Sequence, residues 1–459
     1  MNQSPQIEIP KKELILAIIL ALLPILLLVY HVEKYGVDVP YMDEWSMTSM
    51  FNLYYDGSLR IVDLAAPHWE HRPLFPRLII LFLGTHTGWN VKYELRLNVT
   101  LVILSFFLLC YLVWKSTPFR LRRGTVWLFP FVSLVLFSLN QHENWLWGWQ
   151  ISVFLTLFAI IGGFVSLHLS SNQKLYIIPA MLFGVIATYS YANGLLYWPL
   201  GLIILLGTHI KSIKRNFILL ICFSSTGIVA ITTYLSKISR NPESMMLGDL
   251  LRSPFYYLRY VASYLASPLG ISIRVFTGIV IVSLLILIAF TRKSLRQNQS
   301  TNMAILPYPL FILWLFSIAS GMLTSIGRGL LGMEQASTSR YLTFGNLFWI
   351  CLLVGLYRIF QRCLDIRKET FGKRRFCWIS FVLIAIIGTL MISENIESSG
   401  SFRRYHDQIE PARQALYEGE KGYLIKRLDI YLPLLLKHRK LIRRHHLSVF
   451  RDMDEHQNL

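Results

Sequence analysis

The sequence predicts an all-α polytopic membrane protein of about eleven spanning helices, and three observations predict it. Hydrophobic residues make up 54% of the 459-residue chain and charged residues only 15%, too little charge to cover a soluble domain of this length. Mean hydropathy is +0.47, and apolar runs of about 18 residues or more, long enough to cross a bilayer core, recur along the whole chain. Lys and Arg gather in alternate connecting segments, the bias of loops that stay cytoplasmic. That bias accounts for the net charge of +19. No RNA- or DNA-binding signature accompanies it, so a nucleic-acid partner is not expected.

The apolar runs place spans near 13–30, 94–114, 126–140, 151–170, 175–191, 194–210, 216–235, 271–290, 304–325, 341–358 and 376–393. The first has a basic flank, Lys11 and Lys12, but no small-residue cleavage site, and reads as a retained helix rather than a removed signal peptide. The basic connections hold Lys11 and Lys12, then Arg120, Arg122 and Arg123, then Lys211, Lys214 and Arg215, then Arg292, Lys293 and Arg296, and the run 358–375. The other connections, 31–93, 140–150, 191–194, 236–270 and 327–340, are mixed, aromatic and polar. This alternation puts the N-terminus in the cytoplasm and the tail outside. It divides the chain into a transmembrane domain, 1–393, and a short, charged, helical extracytoplasmic tail, 394–459. The tail's leucines beside a basic cluster, in 429–446, suit a lipid surface. The cysteines show no C-x-x-C spacing and imply neither a disulfide framework nor a zinc site.

One segment decides the topology. Counting 73–90 as a span would move Arg120, Arg122 and Arg123 outside and invert every later loop. It is short and interrupted by Pro76, Arg77 and His86. It is therefore expected to lie as a juxtamembrane helix at the outer interface, which Trp89 and Arg77 would suit. Earlier in the same loop Trp45, Met50 and Tyr54 recur at roughly helical spacing, enough for a second helix lying on the membrane and ending at Gly57.

The polar residues that need explaining lie in the polar connections. In "YMDEW", Asp43 and Glu44 are flanked by Tyr41 and Trp45. A sheltered carboxylate there can serve as a base near neutral pH, while the plainer explanation is a helix N-cap. "HWEHRP" packs His68, Glu70, His71 and Arg72 into six residues. Arg72 could grip a phosphate, and His68, Glu70 or His71 a metal or an acceptor, against the alternative of an interfacial cluster anchored by Trp69. "NQHENWLWGWQ" sets Trp145, Trp147 and Trp149 beside His142, Glu143 and Asn144. Such an aromatic and amide surface suits sugars, although an interfacial aromatic belt explains the tryptophans equally. "GRGLLGMEQASTSRY" carries Arg328, Glu334, Gln335 and Arg340. Arg340, entering a helix from the polar side, suits a phosphate or anionic headgroup, or simply snorkels.

From "YMDEW" through "HWEHRPLFPRLIILFLGTHTGWNVKYELRLN" the sequence resembles the GT-C class of membrane glycosyltransferases, closest to the protein O-mannosyltransferase and aminoarabinose transferase branch. The matching elements are Asp43–Glu44, then Glu70–His71–Arg72–Pro73, the helix 74–89, the entry Arg96–Leu97, and Glu143 as the acid of the next outer loop. The match covers roughly the first 150 residues as motifs. Met42 stands where the class usually has Pro, and "HRP" replaces a basic-Pro-Pro form. The resemblance implies transfer of a sugar from a polyprenyl-phosphate donor to a glycan, lipid or protein acceptor at the outer face of the plasma membrane. Asp43 would be the general base, and Arg72 and Arg340, with Arg328 nearby, would take the donor phosphate. Glu44, catalytic beside Asp43, and Glu143 would bind sugar hydroxyls, orient the acceptor or hold a divalent metal, while Glu70, His71, Asn144 and the tryptophans from Trp145 to Trp149 would line the sugar or acceptor site. Two rivals remain: an outer-leaflet polysaccharide polymerase or ligase using loop arginines such as Arg240, Arg252 and Arg259, and a lipid or glycan transporter. A membrane scaffold would explain the helices but not the clustered acids.

Overall fold

Apolar runs in a solvent that offers the backbone no partners must bond internally, and the helix is the open-chain solution. A computed structural model describes residues 9–117, 121–209, 213–236, 253–296, 306–365, 371–419, 425–428 and 432–453. The described residues are predominantly helical, joined by short turns and loops, with no strand.

Helix α1 (Lys11–Tyr35) leads to a 3-10 turn, Met42–Ser46, and then α2 (Met47–Tyr55), α3 (Ile61–Leu64) and α4 (Leu74–Thr87). The bundle continues with α5 (Val91–Lys115), α6 (Arg122–Thr125), α7 (Leu128–Leu136), α8 (His142–Leu146), α9 (Ile151–Leu169), α10 (Ile177–Thr188), α11 (Tyr197–His209) and α12 (Ile213–Leu235). After these come α13 (Pro254–Ala266), α14 (Ile273–Arg296), α15 (Tyr308–Arg328), α16 (Leu342–Asp365), α17 (Phe371–Glu418) and α18 (Leu432–Arg444).

Among the described residues eight helices are long and apolar enough to cross a bilayer, or nine if the bent pair Pro254–Leu269 and Ile273–Ile288 forms one span. Eight of the expected spans coincide with those long helices. The expected spans 175–191 and 194–210 fall on shorter apolar helices, Lys174–Thr188 and Ala192–Gly207, and 271–290 on the second arm of the 88° bend. Helix α17 has 48 residues, about 72 Å at 1.5 Å per residue. The division drawn at 393 falls inside it, so the bundle and the tail share one continuous helix.

The two kinds of connection meet at opposite ends of the bundle. At one end Arg123 pairs with Glu13, Arg358 donates to Thr117 Oγ1 at 3.0 Å, and the Tyr357 hydroxyl donates to the Gly124 carbonyl at 2.6 Å. At the other end a second hydrophobic core forms outside the bundle. Trp45, Phe51, Trp89 and Trp147 from the first polar connection and from 140–150 pack with Ile409, Leu416, Leu435, Ile442 and Phe450 of the tail.

This second core changes the reading of the juxtamembrane segment. Arg77 and Trp89, expected at a lipid interface, are buried. Arg77 donates to the carbonyls of Leu64 (3.0 Å) and Ala66 (2.6 Å), and Trp89 Nε1 donates to Glu94 at 3.1 Å. The tail's leucine face, expected on lipid, is turned inward: Leu435 and Ile442 are fully buried where α18 meets α2. Helix α4 ends on Gly88 at φ +63°, a left-handed cap that glycine adopts without strain. Of the cysteines, Cys110, Cys222 and Cys351 are free and Cys377 is disulfide-bonded, which spacing gave no sign of.

Candidate functional site

A cavity of about 670 Å³ lies between the bundle and this outer layer. Its walls come from Met42–Ser46, from the "HWEHRP" loop, from Trp147–Ser152, from Tyr191, from Arg328 to Tyr341, and from α18. Each wall other than α18 belongs to, or borders, one of the polar connections.

The 3-10 turn Met42–Ser46 sends the two adjacent acids in opposite directions. Met42 sits at φ +48°, costly for a side chain with a Cβ and tolerated where surrounding structure dictates it. Asp43 faces the cavity, with 42% of its side chain exposed, and its Oδ1 lies 3.3 Å from His68 Nε2. Partial burial raises the Asp43 carboxyl. Contact with His68 and the positive charge around it, Arg340 included, outweigh that and hold it below its usual value. Asp43 is therefore an ionised carboxylate at neutral pH.

Glu44 turns the other way and is fully buried. Its Oε2 accepts the Tyr41 N–H at 3.2 Å, closing the turn, and its Oε1 meets Glu94 across Gly148. A methyl group at Gly148 would collide with both carboxyls. Two carboxyls in such contact share a proton, since both cannot ionise so close together in a buried site. Burial, above all, raises Glu44 to about 7. Glu44 thus shapes the turn that presents Asp43.

The "HWEHRP" loop is a tight turn. His68 and His71 exchange both backbone hydrogen bonds, at 2.8 and 2.9 Å, with Trp69 at φ +54° at its corner. The His68 ring lies against Trp149, centroids 5.2 Å apart. His71 stacks on Tyr191 at 4.2 Å, and its Nδ1 accepts the Ala192 N–H at 3.2 Å. Burial lowers His71 to about 4, so the ring is neutral and its proton sits on Nε2, 3.6 Å from Glu70. Glu70 pairs with Arg328, tying the loop to the end of α15. Arg72 does not line the cavity. Its guanidinium donates to the carbonyls of Ala65, Tyr234 and Ser236, so it anchors the loop to α12.

Arg340 lines the cavity. Its guanidinium donates to Gln335 at 3.3 Å and lies over the Tyr341 ring at 5.4 Å. Its buried Nε has no partner, and no carboxylate among the described residues forms an ion pair with it. Glu143 and Asn144 stand behind it. Glu143 accepts the Arg340 N–H at 3.2 Å. Asn144 donates to the carbonyls of Ser339 (3.4 Å) and Arg340 (3.2 Å) and to Thr343 Oγ1 at 2.9 Å. These two residues fix the backbone that carries Arg340 and do not reach the cavity. Of the tryptophans, Trp147 and Trp149 line it, whereas Trp145 is buried, stacked on Phe154 at 4.6 Å. Arg259 is exposed on α13; Arg240 and Arg252 lie outside the described residues.

The cavity thus brings together Asp43, His68, His71, Trp147, Trp149, Arg328 and Arg340 of the residues singled out from sequence. It leaves Glu44, Arg72, Glu143, Asn144 and Trp145 in supporting positions, with Glu70 held by Arg328. Sequence reasoning passed over His438, Leu434 and Tyr191, all on the walls. One signal was available: Leu435, His438 and Ile442 follow i, i+3, i+7 spacing, so the imidazole lies in the apolar stripe of α18. Among the described residues no three His, Cys, Asp or Glu side chains gather where they could hold a metal ion.

No family model matches the chain, no curated protein matches its sequence, and no solved structure matches its fold.

Proposed function

We propose that this chain is a multi-pass membrane glycosyltransferase with GT-C-like architecture and about eleven membrane crossings, its cavity opening on the outer face of the plasma membrane. It would move a sugar from a polyprenyl-phosphate donor to a hydroxyl-bearing glycan, lipid or protein acceptor. One observation carries the reading: an ionised Asp43 and the two arginines Arg328 and Arg340 face one cavity lined by Trp147 and Trp149. A volume of about 670 Å³ falls within the usual range for small-molecule sites and suits a sugar with its phosphate.

In this mechanism Asp43 takes the proton of the acceptor hydroxyl as that oxygen attacks the anomeric carbon. The bond from that carbon to the phosphate oxygen breaks on the opposite face, so configuration inverts. The departing lipid phosphate keeps the electron pair, and its charge grows beside Arg340, whose Nε is already without a partner. Arg328 adds a second positive group. His68 keeps Asp43 ionised and oriented, and the tryptophans offer ring faces to the sugar's C–H bonds. A divalent metal, if one takes part, would meet Asp43 and His68 first.

A second reading, an outer-leaflet polysaccharide polymerase or ligase, draws support from the same arginines together with His68, His71 and His438 on the cavity wall. Lipid analysis of cells lacking the chain tests the class. The transferase reading predicts that one polyprenyl-phosphate monosaccharide accumulates while one surface substituent disappears. Accumulation of lipid-linked repeat units would favour the polymerase, and unchanged lipid-linked sugars would remove both readings.

A further inference from the structure

The tail helix supplies a cavity wall, and its one cavity-facing polar side chain is unsatisfied. His438 is 93% buried, since only 7% of it is exposed, and it packs on Trp45 with centroids 6.1 Å apart. It lines the cavity, its Nδ1 has no hydrogen-bond partner, and no hydrogen bond or ion pair reaches it from the described residues. A buried polar group left unpaired is destabilising, a cost that a leucine at this point of the apolar stripe would avoid. An imidazole in such a place, on a cavity wall, points to a ligand. Burial, reinforced by the charge of Lys437, lowers His438 to about 4, so the ring is neutral, with one N–H donor and one acceptor nitrogen. That pair of functions suits a hydroxyl, which can both donate and accept.

The position indicates which hydroxyl. The arginines come from the bundle, Arg328 at the end of α15 and Arg340 just before α16. His438 comes from the tail helix of the outer layer and packs on Trp45, in the same turn, Met42–Ser46, that presents Asp43. We infer that His438 is an acceptor-binding residue: the tail helix completes the acceptor half of the cavity, and the imidazole holds a hydroxyl of the acceptor beside Asp43. This inference rests on the transferase reading.

The test uses the full chain in cells lacking the native copy, complemented with wild type, His438→Leu, His438→Gln or Asp43→Asn at matched membrane levels. The surface substituent and the lipid-linked sugar are quantified by mass spectrometry, and thermal stability is measured on each purified protein. His438→Leu is expected to cut transfer about tenfold, the loss of one hydrogen bond of roughly 1.4 kcal/mol, while melting at or above the wild-type temperature. His438→Gln, which keeps a donor and an acceptor, is expected to restore most of the transfer. Wild-type transfer in His438→Leu, with Asp43→Asn inactive, would overturn the inference and leave the transferase reading standing. A lowered melting temperature in His438→Leu, with transfer lost equally in Leu and Gln, would make His438 a packing residue and overturn it too. Full transfer in Asp43→Asn would overturn the transferase reading itself.

Discussion

Replacing Glu44 with Gln is expected to remove a pH dependence from the stability of the protein. The Glu44 carboxyl lies at about 7 against an ordinary 4.5, raised chiefly by burial, with the Glu94 contact and the Tyr41 N–H working the other way. A carboxyl raised in the folded state binds more protons there than in the unfolded state. Its contribution to stability is therefore fully present below about 4.5 and is lost as the pH climbs from about 4.5 to about 7. The displacement, about 7 less 4.5, is about 2.5, and at 1.36 kcal/mol per unit the loss approaches roughly 3 kcal/mol. Thermal unfolding of the detergent-purified protein, followed by tryptophan fluorescence from pH 5 to pH 8, reads it directly. Wild type should lose stability steadily up to neutrality. Glu44→Gln, which keeps the shape and can donate an amide N–H to Glu94, should show a shallower profile that keeps only the dependence of Glu94, itself raised by burial. Parallel profiles would refute the reasoning, because the proton between these carboxyls would then be uncoupled from folding.

Three further outcomes are expected. Gly148→Ala inserts a methyl group between the carboxyls of Glu44 and Glu94 and should lower stability by about 1–3 kcal/mol, measurable as a shift in melting temperature at fixed pH. Asn144→Leu, which deletes three donated hydrogen bonds to the segment carrying Arg340, should weaken transfer, and its effect should be far less than additive with Arg340→Gln in the same cell assay. Asp43→Asn should reduce the transfer rate by about 10²–10⁴, the usual contribution of a general base, without changing the melting temperature by more than a small amount, because the Asp43 side chain is 42% exposed to the cavity.

The bundle was legible because hydropathy acts locally: eight of the apolar runs lie on helices long enough to cross a bilayer. The shorter α10 and α11 and the right-angled α13–α14 pair were less so, since length and bend depend on neighbours. Asp43 was legible as an acid sheltered by aromatics. That Glu44 turns inward was not, because its partner Glu94 is 50 positions along the chain and the gap between them depends on Gly148. The arginines show the same limit. Arg72 and Arg340 look alike in sequence, yet one is spent on three carbonyls and the other keeps an unpartnered nitrogen at the cavity. The second core was the least visible feature. Leucines beside basic residues in α18 fit a lipid surface as well as a protein surface, and the choice rests on Trp45, Phe51 and Trp89, which wait across the fold to receive them.

The central claim is that Asp43 is the base of a lipid-sugar-dependent transfer, and the most direct measurement is mass spectrometry of surface glycans and lipid-linked sugars in cells whose only copy is Asp43→Asn. The account predicts that a single surface substituent vanishes and its polyprenyl-phosphate sugar accumulates, at wild-type membrane levels of the protein. A wild-type profile in those cells would contradict it and reduce Asp43 to a structural member of the turn.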